Sequence, residues 1–362
     1  MQRSDHPALI GAITAALLFG IVVPVSKILL VGTGPITLAA LLYMGAGTGL
    51  LLLKIIRPQQ TQQEAPVTRR DIPFLVVIVI VGSVIGPILL MTGLTMVPAG
   101  TASLLLNAEL VMTGIIATLF FSEPLGRRVV LAMTAVVIGG LILSVDPTGT
   151  FGISAGAVLI LGACICWGID NNVTRSLSGK DPASVVIIKG MCAGIVGLVL
   201  ATLIGESLPS IHVILYILIT GFFGYGLSLV LFIRSLRTLG AIRTGSLFAL
   251  APFIGAGISW VFLGEAPGYQ VFVSFLFMAI GVYLIATEDH HHLHSHIRVS
   301  HDHRHRHDDG HHTHSHLESD PSEHAHLHQH DLVTHDHQHT PDLHHYHDHE
   351  LMSDDKKSEK NT

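Results

Sequence analysis

Apolar residues along the first four-fifths of the chain come in long runs separated by short polar connections, as in FLVVIVIVGSVIGPILLMTGL from Phe74. A helix needs about 20 consecutive apolar residues to cross the hydrocarbon core of a bilayer. Ten segments of that kind can be marked, at 7–31, 35–56, 72–96, 99–121, 128–146, 152–174, 183–205, 212–235, 240–263 and 268–287. Most connections are short and carry Gly, Pro or charge, such as SEPLGRR at 122–128, and the longest, 57–71, reads as a solvated loop. Arg3 precedes an apolar stretch from Ala8 to Val31 that is too long for the core of a cleaved signal and leads into a second span, so it reads as a retained first helix. The pattern predicts an all-α membrane protein.

Basic residues sort the connections onto two sides. With the N-terminus in the cytoplasm, 12 of the 14 Lys and Arg in residues 1–287 fall on the cytoplasmic side, and Lys27 alone falls outside. That asymmetry predicts ten crossings with both termini in the cytoplasm. Lys189 and Arg234 read as interface anchors. Cys164, Cys166 and Cys192 lie in apolar runs and read as small buried hydrophobes, not as a disulfide framework.

Composition changes the picture at the C-terminal end. The whole chain is 49% hydrophobic and only 13% charged, where a soluble domain carries about 25% charged residues. Residues 1–287 balance 14 basic against 10 acidic side chains, whereas 288–362 hold 6 against 16. Of 26 histidines, 24 lie between His290 and His349. The tail is a different material from the membrane domain. With so few apolar residues, 288–362 is expected to be disordered.

The membrane domain repeats itself. FFSEPLG at 120–126 aligns with FLGEAPG at 262–268, an offset of 142, and at that offset LTMVPAGTASLL from Leu94 meets LRTLGAIRTGSL from Leu236. Earlier in each half, FGIVVPVSK (19–27) meets WGIDNNVTR (167–175), pairing Lys27 with Arg175. Five helices is an odd number, so a second copy enters from the opposite side. This is the inverted-repeat plan of many secondary transporters, with substrate held near the midplane. The expected domains are repeat 1 at 7–146, repeat 2 at 152–287 and the tail at 288–362.

These ten segments, the PVSK and WG…R helix ends and the paired SEP and GEAP turns resemble the EamA family of the drug/metabolite transporter superfamily, over about residues 7–287. The combination with a His-rich end is similar to members associated with nickel and cobalt resistance. The resemblance implies a multi-pass carrier of the inner (plasma) membrane that exports small solutes through a cavity between its halves. It implies no enzymatic activity.

Charge inside the membrane needs a reason, because a carboxylate at mid-bilayer costs about 2.5–3.5 kcal/mol on insertion scales. Glu109 sits near the centre of the fourth segment, two residues after Asn107, and its repeat counterpart is Ala251. It reads as a protonatable or cation-binding carboxylate, or else as a packing contact. Asp170, Asn171 and Asn172 are three consecutive oxygen donors that suit a cation or a polar substrate, or else belong to the cytoplasmic interface. Lys27 joins the candidate pathway at the outer end, where Pro24 frees backbone carbonyls, although it also reads as a snorkelling lysine. Glu123 and Glu265 read as structural.

In the tail, His-x-His pairs interleaved with Asp suit Zn, Cu, Ni and Co. The candidate ligands are His290, His291, His292, His294, His296, His301, His303, His305, His307, His311, His312, His314, His316, His324, His326, His328 and His330. At three or four ligands per ion, the tract holds on the order of six ions. No resident cofactor is required. The expected partners are the bilayer and a small solute or metal ion, without nucleic acid, and the oligomeric state is open. Two functions follow: export of a divalent transition metal, nickel or cobalt first and zinc next, or export of an amino acid or similar metabolite with the tail as metal buffer.

Overall fold

The computed structural model describes residues 5–56, 67–121, 126–144, 154–177, 180–239, 241–286 and four short tail segments. Two compact units are present, Met1–Glu288 and Asp289–Thr362. Among the described residues the first is a bundle of helices joined by short connections. In chain order its helices are α1 (Asp5–Gly20), α2 (Val22–Leu29), α3 (Pro35–Ile56) and α4 (Ile72–Val77). A π-helical stretch, Ile78–Ile85, leads into α5 (Gly86–Met96), α6 (Ala99–Leu105), α7 (Ala108–Phe121), α8 (Arg127–Ser144), α9 (Ala155–Thr174) and α10 (Pro182–Ile204). Then come α11 (Ile211–Gly221), a second π stretch at Phe222–Leu227, α12 (Ser228–Leu239), α13 (Ala241–Phe248), α14 (Ala251–Phe262) and α15 (Tyr269–Ala286).

Joined where they run on without a break, eight of these are long and apolar enough to cross a membrane, from His6–Leu29 to Ile211–Ser235. The ninth and tenth expected segments hold shorter apolar helices, Ala251–Phe262 and Tyr269–Leu284. The ninth is short because it is split. α13 stops at Phe248 and the chain restarts at Ala251 with Pro252 in its first turn, where a missing N–H and a fixed φ are tolerated. The outward side chains match a lipid solvent: Leu119, Phe120, Leu203 and Phe262 are 72–80% exposed, which in water would be an aggregating surface.

The twofold repeat extends to helix defects. At the offset of 142, the π stretch 78–85 falls on 220–227, where the second π stretch lies. The break between α6 and α7 at 106–107 falls within a residue of the break between α13 and α14. Such defects free backbone groups from the helical ladder, and they concentrate where a transporter needs polar backbone inside the membrane.

Small residues bring the helices together. Gly47 of α3 and Gly190 of α10 pack backbone to backbone, Gly221 of α11 lies on the Leu42 carbonyl, and Gly255 of α14 meets Ser103 and the Gly20 carbonyl. Where lipid removes the hydrophobic drive between helices, close van der Waals approach takes its place. The main core gathers Leu38, Leu42, Leu90, Met91, Leu94, Leu104, Ile160 and Met278 from α3, α5, α6, α9 and α15. The three cysteines divide: Cys164 is buried, Cys166 half-buried, and Cys192, contrary to the sequence reading, exposed.

In the tail, the described residues form four short strands: β1 (Leu293–Ser295), β2 (Ser300–Arg306), β3 (Glu323–Gln329) and β4 (Thr334–Asp336). β1 pairs antiparallel with β4 and β2 with β3. The reason is periodicity. His-x-His repeats every two residues, the period of a strand, so compositional bias against a core does not prevent a ladder.

Candidate functional site

The polar residues of the membrane domain collect where α7, α9 and α10 meet the first π stretch. The break before α7 places Glu109 in the first turn of that half-helix, the end whose dipole favours negative charge. Asn171 of α9 donates its amide to Glu109 Oε1 at 2.9 Å and to Thr113 Oγ1 at 3.2 Å. Two residues expected on the pathway are thus in direct contact, across 62 positions of sequence. Asn107 is buried in the break and donates to the Leu104 carbonyl at 2.9 Å. It closes the end of α6 and makes no bond to Glu109.

The three consecutive polar residues on α9 do three different things. Asn171 is exposed and faces Glu109. Asn172 is buried, donates to the Thr113 and Gly168 carbonyls, and keeps its Oδ1 without a partner. Asp170 is buried and accepts both its charged hydrogen bonds from Lys189 Nζ, at 2.9 and 2.7 Å. Lys189 was expected as an interface anchor; it is 8% exposed and belongs to the interior. A lone Lys in an apolar run carries no signal of its partner, but its distance from Asp170, 19 residues across one short connection, was a readable clue.

Aromatic rings line the neighbouring space. Phe19, Tyr225 and Tyr43 follow one another at 5.8 and 5.2 Å, and Phe248 joins Phe19 at 5.1 Å. Tyr225 lies within electrostatic reach of Glu109, and Tyr43 within reach of Asp170. None of these rings was singled out from sequence, because an aromatic residue in an apolar helix has no distinguishing pattern.

Lys27 is placed elsewhere. Its Nζ donates to the Leu94 and Val97 carbonyls at 2.6 and 2.9 Å, closing the C-terminal end of α5. Glu265 accepts from the Ala99 and Gly100 amides at 2.6 and 2.8 Å, capping α6. Glu206 caps α3 in the same way through Ile36 and Thr37. At the opposite ends of α3 and α10, Lys54 bridges Asp181 at 2.7 Å. Burial alone would raise the Asp181 carboxyl, but hydrogen bonds from Lys54 and Ser184 outweigh it and hold the group below its ordinary range. An apolar groove of about 230 Å³ between α7 and α8, lined by Val111, Ile115 and Met133, carries no charge and is not part of this site.

Among the described residues, no three His, Cys, Asp or Glu side chains converge as a metal site. The tail positions His290, His291, His292, His296, His307, His311, His312, His314, His316 and His330, like Glu123, lie outside the described residues. Of the others, His294 is the register partner of His335, and His301, His303 and His305 are partners of His328, His326 and His324.

A bundle of apolar helices, broken in matched places and lined there with carboxylate, carboxamide and aromatic side chains, defines a membrane transporter. The chain belongs to the EamA-like transporter family, whose profile matches twice, over residues 6–145 and 154–287. It is 28% identical over 299 residues to an uncharacterized transporter of Methanothermobacter thermautotrophicus, covering 76% of this chain and 85% of that one. A solved crystal structure superposes with a TM-score of 0.57 at 15% identity, over 77% of this chain and 98% of its own, and supports the fold alone.

Proposed function

We propose that this protein exports a divalent transition-metal ion, nickel or cobalt first and zinc next, from the cytoplasm across the plasma membrane. The chain crosses ten times as two oppositely facing five-helix repeats, with both termini inside. The tail collects the ion near the inner mouth, and raised local concentration favours its capture.

The observation that carries this reading is the contact of Glu109 with Asn171 at the break between α6 and α7. It sets a carboxylate, a carboxamide and the Thr113 hydroxyl together inside the membrane. Oxygen donors of this kind hold a borderline metal weakly, and weak holding permits the release that transport requires. The tail adds imidazoles in quantity. Alternation puts His301, His303 and His305 on one face of β2, opposite His328, His326 and His324 in register.

The aromatic set that reaches this carboxylate through Tyr225 favours a second reading, export of an amino acid or similar amine-bearing metabolite. Tyr43, Tyr225, Phe19 and Phe248 offer the apolar and cation-binding faces that an organic ammonium uses. One comparison separates the two. Cells carrying the full chain, Glu109→Gln, or a form ending at Glu288 are loaded with nickel or cobalt, and metal content and amino-acid efflux are followed. Metal loss that stops with Glu109→Gln and only slows on truncation supports metal export. Equal metal content in all three, with amino-acid efflux changed by Glu109→Gln, supports the second reading.

A further inference from the structure

Lys189 and Asp170 form a buried ion pair inside the spans. Their side chains are 10% and 11% exposed, and Lys189 Nζ reaches both carboxylate oxygens. The surroundings are shaped for it. Gly82, in the first π stretch, lies directly on the Asp170 carboxylate, and a methyl group there would collide with it. The Gly82 carbonyl accepts from Trp167 Nε1 at 2.9 Å and Tyr43 Oη at 3.3 Å, locking the π stretch against α9 and α3. Thr174 faces Asp170 at 3.5 Å, and Glu109 lies within electrostatic reach of both members of the pair.

The formal charges of Glu109, Asp170 and Lys189 sum to −1. Taking charge out of water is expensive unless it is matched, so an empty carrier with two carboxylates within electrostatic reach of each other needs a positive partner inside. The geometry points to Lys189 as that partner: a tethered counter-charge that occupies Asp170 while the carrier is empty and competes with a cationic cargo for it. This rests on the reading of the cargo as a metal cation. A cargo ion reaching Glu109 takes Asp170 as its second carboxylate, and the ammonium is pushed aside. The returning ammonium then drives the ion off. Lys189 thereby limits how tightly the site holds cargo and speeds its release.

The test uses the full chain in proteoliposomes, with cobalt uptake or release measured over a range of concentrations. Removing the competitor by Lys189→Met should tighten binding and slow turnover, lowering both KM and Vmax about fivefold or more, while Lys189→Arg keeps both within about twofold of wild type. A residue with only a packing role would change the amount of folded protein without lowering KM. Unchanged or raised KM in folded Lys189→Met overturns the inference. If that variant does not fold, Asp170→Asn combined with Lys189→Met removes the pair without leaving a bare charge. That double variant should raise the KM for cobalt, and an unchanged KM overturns the inference equally. Wild-type protein that moves no cobalt overturns the metal reading itself, a result distinct from either.

Discussion

Lys27 and Glu265 hold the same tight turn from its two ends: Lys27 binds the Leu94 and Val97 carbonyls as α5 finishes, and Glu265 binds the Ala99 and Gly100 amides as α6 begins. Each charge sits at the helix end whose dipole favours it. Val97 is extended, as the residue before Pro98 must be, so the turn has few bonds of its own. These two side chains, from α2 and from the connection after α14, supply them.

Glu265→Ala should therefore destabilise the membrane domain by about 1–2 kcal/mol, the usual cost of losing an N-terminal cap. Glu265→Gln keeps one acceptor and should fall between. Thermal unfolding in detergent measures both, and a midpoint unchanged by Glu265→Ala would show that the turn holds without its cap.

Asn171→Ala removes the amide that Glu109 accepts while leaving Asn172 and its backbone bonds in place. A hydrogen bond to a charged group contributes about 1.5–3 kcal/mol, so transport should fall roughly tenfold or more. The variant should still fold, because Asn171 is exposed and its loss leaves no cavity, with the unfolding temperature lowered by no more than the lost bond accounts for. Asn171→Asp sets a second negative charge against Glu109 and should be worse. Wild-type transport by either variant would remove Asn171 from the pathway.

The Lys54–Asp181 bridge predicts a pH effect of known sign. The Asp181 carboxyl is held below its ordinary range, so its stabilisation is complete above about pH 4, the unfolded value. It is lost as pH falls through the lower folded value. The gain is under about 1 kcal/mol, because Lys54 is half exposed and solvent screens it. Unfolding temperature measured from pH 6 to pH 3 should fall less steeply for Asp181→Asn than for wild type. Parallel curves would show that the bridge contributes nothing.

Glu109, Asp170, Asn171 and Asn172 were legible as unusual because each interrupts an apolar run. Their partners were not. Nothing local distinguishes Asn171, which meets Glu109, from Asn172, which turns to the Thr113 and Gly168 carbonyls. One step along a helix rotates a side chain by about 100°, and the position of α7 decides which residue faces it. Lys27 and Lys189 were both read as interface lysines. One caps α5 and the other neutralises Asp170.

What the sequence by itself determined is the solvent and the plan. Runs of apolar residues specify lipid, a twofold offset of 142 specifies two like halves, and both signals are local or periodic, readable without knowing what touches what. Only the tertiary structure decided the polar chemistry. Inside lipid a charged or polar side chain has no water to turn to, so its state is set by whichever group a distant helix brings within about 3 Å. Asp170 is a free carboxylate or a neutralised one according to where α10 carries Lys189.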